Sequence, residues 1–417
     1  MPRKMKSRFK SSLWTPESAS RRAAVILLTI SCLGLAQCST PKAEQQTAPA
    51  EVAAQQALLR QLAEQVIQPS VASFATEAQR LDLAVKAWCP ALSGDATNAA
   101  ALQKDAQDAW LSTAKAWQRL IPMAIGPHAD ADMAEAIDSW PLVNPCAVDQ
   151  GVNALLQEGT IDMTGSLPNQ KGLDALETLL FRASLKSLCP PQAAPAGWNE
   201  RSDSAKTAAR CAYAEAVSSA LLTRATTLEK AWKPGPTSYI EVLSAAGNDA
   251  TAGAVWASSH AALNALTDAV LSLETYTKGR RLGAPLGIAA NPCGTIGAPC
   301  SKALESPWAH QGSALLRANL GGARAILLGV GSDGQAFDDW LVRKGASPAA
   351  TSMKAHLDET KAAFDALPAP LQDGLASDEA KVKAAYDALG KLTHHVETQL
   401  LVALSLQVPD SVAGDSD

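Results

Sequence analysis

The sequence has few aromatics, 5% of 417 residues, and only six histidines. Scarce aromatics alongside abundant alanine favour packed helices, because strands draw on Tyr, Phe, Trp and β-branched side chains. None of the histidines falls in H-E-x-x-H or H-x-x-E-H, so the common zinc-peptidase helices are missing. G-x-S-x-G is also absent, which removes the nucleophile turn of the α/β-hydrolases. With no C-x-x-C, a thiolate zinc site has little support, and there is no Gly-rich phosphate loop. The net charge of −5, with acids and bases interspersed, lacks the basic face that a nucleic-acid partner requires.

The N-terminus carries an address. Basic residues run from Arg3 to Arg22, and the stretch from Ala23 to Ala36 is apolar. That run is short for a membrane span and suits the apolar region of a signal peptide. Leu35-Ala36-Gln37-Cys38 resembles a bacterial lipobox, with Gln37 where a small residue is usual. It predicts lipidation of Cys38, with ordinary cleavage near Ala36 as the alternative. Residues 1–38 are then a lipoprotein signal peptide. With Ser39 following, the expected location is the outer membrane, held through a lipid anchor and facing the periplasm or the cell surface.

Cysteine usage agrees with export. Cys89, Cys146, Cys189, Cys211, Cys293 and Cys300 make an even set in the mature chain, compatible with disulfides in an oxidising compartment. Nearest-neighbour pairing suggests Cys89–Cys146, Cys189–Cys211 and Cys293–Cys300, each bracketing a Pro- or Gly-containing loop.

Residues 39–54 are polar and Ala/Gln-rich and read as a tether. A helical pattern begins at Gln55, with Leu58, Leu62, Val66, Phe74, Leu81 and Val85 near one face, and Pro69 is placed to kink it. A second helix covers Ala99 to Leu120, with Trp110 and Trp117 on its core side, and a long one covers Asn199 to Trp232. Lys233-Pro234-Gly235-Pro236 is the strongest break in the chain and divides residues 55–233 from 237–408, ahead of an acidic tail at 409–417. Helices in the second half are expected over Val255–Lys278, Ala309–Leu328, Gly334–Lys344, Ser347–Ala366 and Asp378–Leu406.

The most informative stretch is Gly172-Leu173-Asp174-Ala175-Leu176-Glu177-Thr178-Leu179-Leu180-Phe181. At helical spacing Leu173, Leu176 and Leu180 form an apolar stripe, and Asp174 and Glu177 share a flank beside it. Two acids three residues apart repel unless a cation, a metal ion or a shared proton compensates them, or unless both are solvated. The G-x-D-x-x-E pattern and the apolar run after it resemble the G-x-H-x-x-E signature of the imelysin-like family, with Asp174 standing where that signature has His. Trp140-Pro141 and Arg317-Ala318-Asn319-Leu320-Gly321-Gly322 add to the resemblance.

The resemblance implies an all-α fold of two helical bundles packed together, duplicated domains of the four-helix-bundle kind. It also implies an envelope protein linked to peptidase activity or to iron. A site is expected where the bundles meet, with Gly172, Asp174, Glu177 and Arg281 binding the ligand. The metal would be held by Asp174 and Glu177, an oxygen pair suited to iron or calcium rather than zinc.

Three functions follow: binding a metal or small ligand without hydrolysis, a metallopeptidase with Glu177 as base or ligand, or a scaffold in which the acids form salt bridges between the bundles, Arg280 or Arg281 to Glu177 among them. Two further groupings are more simply structural. His128, Asp130, Asp132 and Glu135 read as a loop with an acidic helix start, and His394 with Glu397 as an exposed helix face.

Overall fold

The computed structural model describes residues 49–92, 96–142, 144–248, 255–331 and 335–409. Cys38, the signal segment and the end of the acidic tail lie outside them. The described residues are helical and contain no strand, which makes the chain all-α. In chain order the helices of the first half are α1 (Pro49–Leu62), α2 (Gln68–Ala91), α3 (Ala96–Leu120), α4 (Ala131–Ile137), α5 (Pro145–Glu158), α6 (Gly172–Phe181) and α7 (Asp203–Trp232). After the Lys233–Pro236 break come α8 (Tyr239–Ser244), α9 (Ser259–Ser272), α10 (Gly312–Leu328), α11 (Phe337–Arg343), α12 (Ser347–Asp365), α13 (Leu371–Ser377), α14 (Glu379–His395) and α15 (Leu401–Leu404).

Helix starts follow side-chain chemistry. Asn144, Ser202, Ser238 and Ser258 each accept a backbone N–H of the first turn and so set where α5, α7, α8 and α9 begin. α1 opens at Pro49 with Glu51 in its first turn, so residues 49–54, expected to belong to the tether, are already helical. Between α1 and α2 the chain makes a π turn over Ala63–Ile67. Pro69 lacks an N–H and cannot supply the i+4 donor for the Gln65 carbonyl, which is a physical reason for the wider turn just there. α6 stops at Phe181, where Arg182 leaves helical backbone to meet Asp149.

A contiguous apolar cluster runs from Leu58 to Leu406 and does not stop at the Pro/Gly break. α2 packs along α3 and α7; α1 packs on α8 and α9 of the second half, and α3 on α10. Gly322 makes the last contact possible, since a Cβ there would lie 2.0 Å from the carbonyl oxygen of Arg119. Trp110 and Trp117 are both in the core.

The disulfides are Cys89–Cys211, Cys146–Cys189 and Cys293–Cys300. Nearest-neighbour pairing is right for Cys293–Cys300 and wrong for the other four cysteines. The side-by-side packing of α2 and α7 brings Cys89 onto Cys211, 122 residues away, and Cys146 at the start of α5 meets Cys189 in the loop after α6. Packed helices make distant residues neighbours, and loop composition does not report it.

Candidate functional site

α6 is buried from Gly172 to Leu180 on all sides, including its two acids. Gly172 allows this. Its φ is +78°, and a Cβ would stand 2.5 Å from the carbonyl oxygen of Ile137, so only glycine lets the start of α6 abut the end of α4. Trp110 fixes the same end by donating its indole N–H to the Leu173 carbonyl at 2.8 Å.

Each acid is held by a different segment. Asp174 Oδ2 accepts from the Ser139 N–H (2.6 Å), the Ser139 hydroxyl (3.0 Å) and the Trp140 N–H (2.9 Å). Glu177 Oε1 accepts from the Ser306 hydroxyl (3.1 Å) and the N–H groups of Trp308 (2.9 Å) and Ala309 (2.8 Å), all in the second half. Ser306 and His310 adopt φ of 57° and 58°, backbone that non-glycine residues rarely occupy, so this segment turns tightly around the carboxylate. Exposure is 8% for Asp174 and 3% for Glu177. The repulsion between them is therefore met inside the protein, at a junction of the two halves, and not by bulk water.

Two further acids join them. Asp138 and Glu305 line the same cavity as Asp174 and Glu177, and Gln118 links the newcomers by donating to Asp138 Oδ2 (3.1 Å) and to Glu305 Oε1 (3.0 Å). Arg281 supplies a cation, with Nε 2.8 Å from Glu305 Oε2 and its guanidinium over the Trp140 ring. The expected Arg281–Glu177 pair does not form; Glu305, nearer in sequence and entirely missed in the sequence, takes its place. Four carboxyl groups against Arg281 would leave three negative charges unmatched if all were ionised. Protons make up the difference. Burial raises the carboxyl of Glu177 to about 7, against the pull of the Ala309 and Trp308 N–H groups. Glu305 is likewise raised by burial to about 7, with Arg281 opposing. Asp174 is raised well above the usual carboxylate range by burial and then by the charges of Asp138, Glu177 and Glu305. Burial also raises Asp138, against the pull of Arg281 and the Trp140 N–H.

Oxygen donors of this kind suit iron or calcium in type. In arrangement they do not. Among the described residues no three His, Cys, Asp or Glu side chains converge as metal ligands. Asp174 Oδ2 and Glu177 Oε1 are each already taken by three donors, and the cavity measures about 10 Å³, room for roughly one water. As folded, these residues do not fit a resident metal ion.

The other sequence candidates are not part of this cluster. His128 is buried against Trp232 with Nε2 bonded to the Met123 carbonyl, and Asp130 caps α4 by accepting from the Met133 N–H. His394 is exposed on α14. Asp138 and Glu305 had no signal of their own: both sit outside helices, where no periodicity marks an inward side chain.

Comparison with known proteins supports the family and the fold. The imelysin (peptidase M75) family profile matches residues 67–396. The chain belongs to the imelysin family. Among solved structures it resembles an imelysin-like protein from Psychrobacter arcticum 273-4, with 23% identity and a TM-score of 0.63 over 87% of this chain and 98% of that one. It also resembles a "putative iron-regulated protein A precursor" from Parabacteroides distasonis ATCC 8503, with 17% identity and a TM-score of 0.63 over 84% and 94% of the two chains. No curated protein sequence matches. Likeness at this identity speaks for the imelysin fold; the site is argued from its own residues.

Proposed function

We propose that this imelysin-family protein is an outer-membrane-anchored envelope lipoprotein that works by binding, without peptide hydrolysis, at the junction around Gly172, Asp174, Glu177 and Arg281. The observation that carries the reading is the enclosure of both motif acids. Each has one oxygen held by three donors beside a cavity of about 10 Å³, which leaves no room for a peptide. What the cluster holds is protons, and whatever binds there must displace them or the donors. An iron-linked role is the second reading, supported by the oxygen donor chemistry and by the printed name of one structural neighbour. Iron or calcium would need carboxyl oxygens released from their present donors. The anchor at Cys38 remains the sequence's contribution; no helix among the described residues is long and apolar enough to cross a membrane.

The test uses untagged protein from its native envelope, examined by elemental analysis and by digestion of an unfolded protein with and without chelator. No cleavage is expected in either condition. Chelator-sensitive cleavage that disappears in Glu177→Ala would reverse the proposal in favour of the metallopeptidase.

A further inference from the structure

α12 and α14 bring two histidines together, away from the acid cluster. His356 of α12 and His395, the last residue of α14, have ring centroids 5.3 Å apart at an interplanar angle of 51°. His395 Nε2 lies 2.9 Å from the Ala349 carbonyl oxygen. Only an N–H satisfies that oxygen, so the proton sits on Nε2 and Nδ1 keeps its lone pair. Metal-ligating histidines are oriented in the same way, through a carbonyl on the far ring nitrogen. His356 Nδ1 is buried and has no hydrogen-bond partner. Glu359 Oε2 stands 3.7 Å from it, beyond hydrogen-bond reach, while the other oxygen of Glu359 is engaged by Lys391 at 2.7 Å. Directly after His395 the chain enters a π turn, Val396–Leu400, a distortion that is concentrated at functional sites.

We propose that His356 and His395 form a two-imidazole site for a divalent transition ion, Cu²⁺, Ni²⁺ or Zn²⁺, separate from the carboxyl cluster. Imidazole prefers these ions to Ca²⁺ or Mg²⁺. Two rings sharing an ion at about 2.0–2.1 Å and a roughly tetrahedral angle have centroids about 5 Å apart, close to the spacing found. Burial lowers the protonation range of His395, against the Ala349 carbonyl, which favours the neutral ring that ligation requires. Among the described residues no third His, Cys, Asp or Glu completes the set. The remaining positions therefore belong to water, and the ion exchanges readily.

Calorimetric titration of the untagged, chelator-stripped full chain with CuCl₂, NiCl₂ and ZnCl₂ at pH 7.5, with electron paramagnetic resonance of the copper form, tests this. One equivalent of at least one ion is expected, with nitrogen coupling in the copper spectrum. Affinity should fall at least tenfold in His356→Gln and in His395→Gln, the latter retaining a donor for the Ala349 carbonyl. Thermal unfolding of the metal-free variants identifies any that fail to fold, and the folded one then decides. The double variant Asp174→Asn/Glu177→Gln should bind as the parent does, which separates this site from the cluster. No uptake of any of the three ions, unchanged affinity in the folded histidine variants, or binding lost only in the acid double variant would overturn the proposal.

Discussion

The two ends of α6 are buried to a similar depth but treat charge in opposite ways. At the C-terminal end Arg182 meets Asp149 through two parallel bonds, of 3.1 and 2.5 Å, with both side chains almost fully enclosed. Arg210 completes that end by donating to the carbonyls of Thr178 (2.8 Å) and Arg182 (3.2 Å), where cations also complement the helix dipole. At the N-terminal end the dipole favours acids, and the chain supplies more of them than Arg281 can match. At the matched end the buried Arg182 and Asp149 each have a counter-charge within hydrogen-bond reach. The unmatched end can stay buried only by keeping protons. One end is therefore a structural tie, and the other responds to its surroundings.

Breaking the matched end should have the largest effect. Arg182→Ala leaves Asp149 buried without its cation, and about 3–5 kcal/mol of stability should be lost in urea unfolding at pH 7. A loss well under that would mean water reaches Asp149 and that the two ends differ less than their geometry indicates. Gly172→Ala acts at the other end, forcing a side chain into a left-handed backbone against the Ile137 carbonyl. A loss of about 1–3 kcal/mol is expected from the strain, read as a lowered thermal midpoint. An unchanged midpoint would show that α6 is free to move off α4. The smallest effect belongs to an exposed pair used as a reference: Lys104→Ala removes a contact to Asp108 on the surface of α3 and should change stability by no more than about 0.3–0.5 kcal/mol.

How much of this was legible in the sequence depends on range. The α6 stripe and the placing of Trp110 and Trp117 in the core follow from helical periodicity and composition, which are local. Spacing alone left Asp174 and Glu177 on the flank, compensated or solvated, and it was the resemblance to the imelysin-like signature that drew them into a site. The break at Lys233–Pro236 is local too, and it does separate α7 from α8. The partners of the acids are not local. Ser139 and Trp140 come from the loop after α4, and Ser306, Trp308 and Ala309 from a segment about 130 residues beyond Glu177, and neither carries a periodic pattern. Arg281 was singled out for its charge but given the wrong acid, since Glu305 lies in the segment between Cys300 and α10, where no periodic pattern marks an inward side chain. Cys89–Cys211 fails for the same reason: the contact belongs to α2 packing on α7.

The central claim is that the unmatched end is held by protons, and the pH dependence of unfolding tests it most directly. Glu177 rises from an ordinary 4.5 to about 7 on folding, so between those values the folded protein binds more protons than the unfolded chain. Stability from this group is complete below about pH 4.5 and is lost as pH climbs through 7, roughly 3 kcal/mol in all. Gln at this position keeps an oxygen for Ser306, Trp308 and Ala309 but cannot titrate. Measured from pH 5 to 8, the wild type should therefore lose about 2.5 kcal/mol relative to Glu177→Gln, with the variant the more stable at pH 8. Parallel profiles, or a variant that loses ground as pH rises, would contradict a proton-held junction.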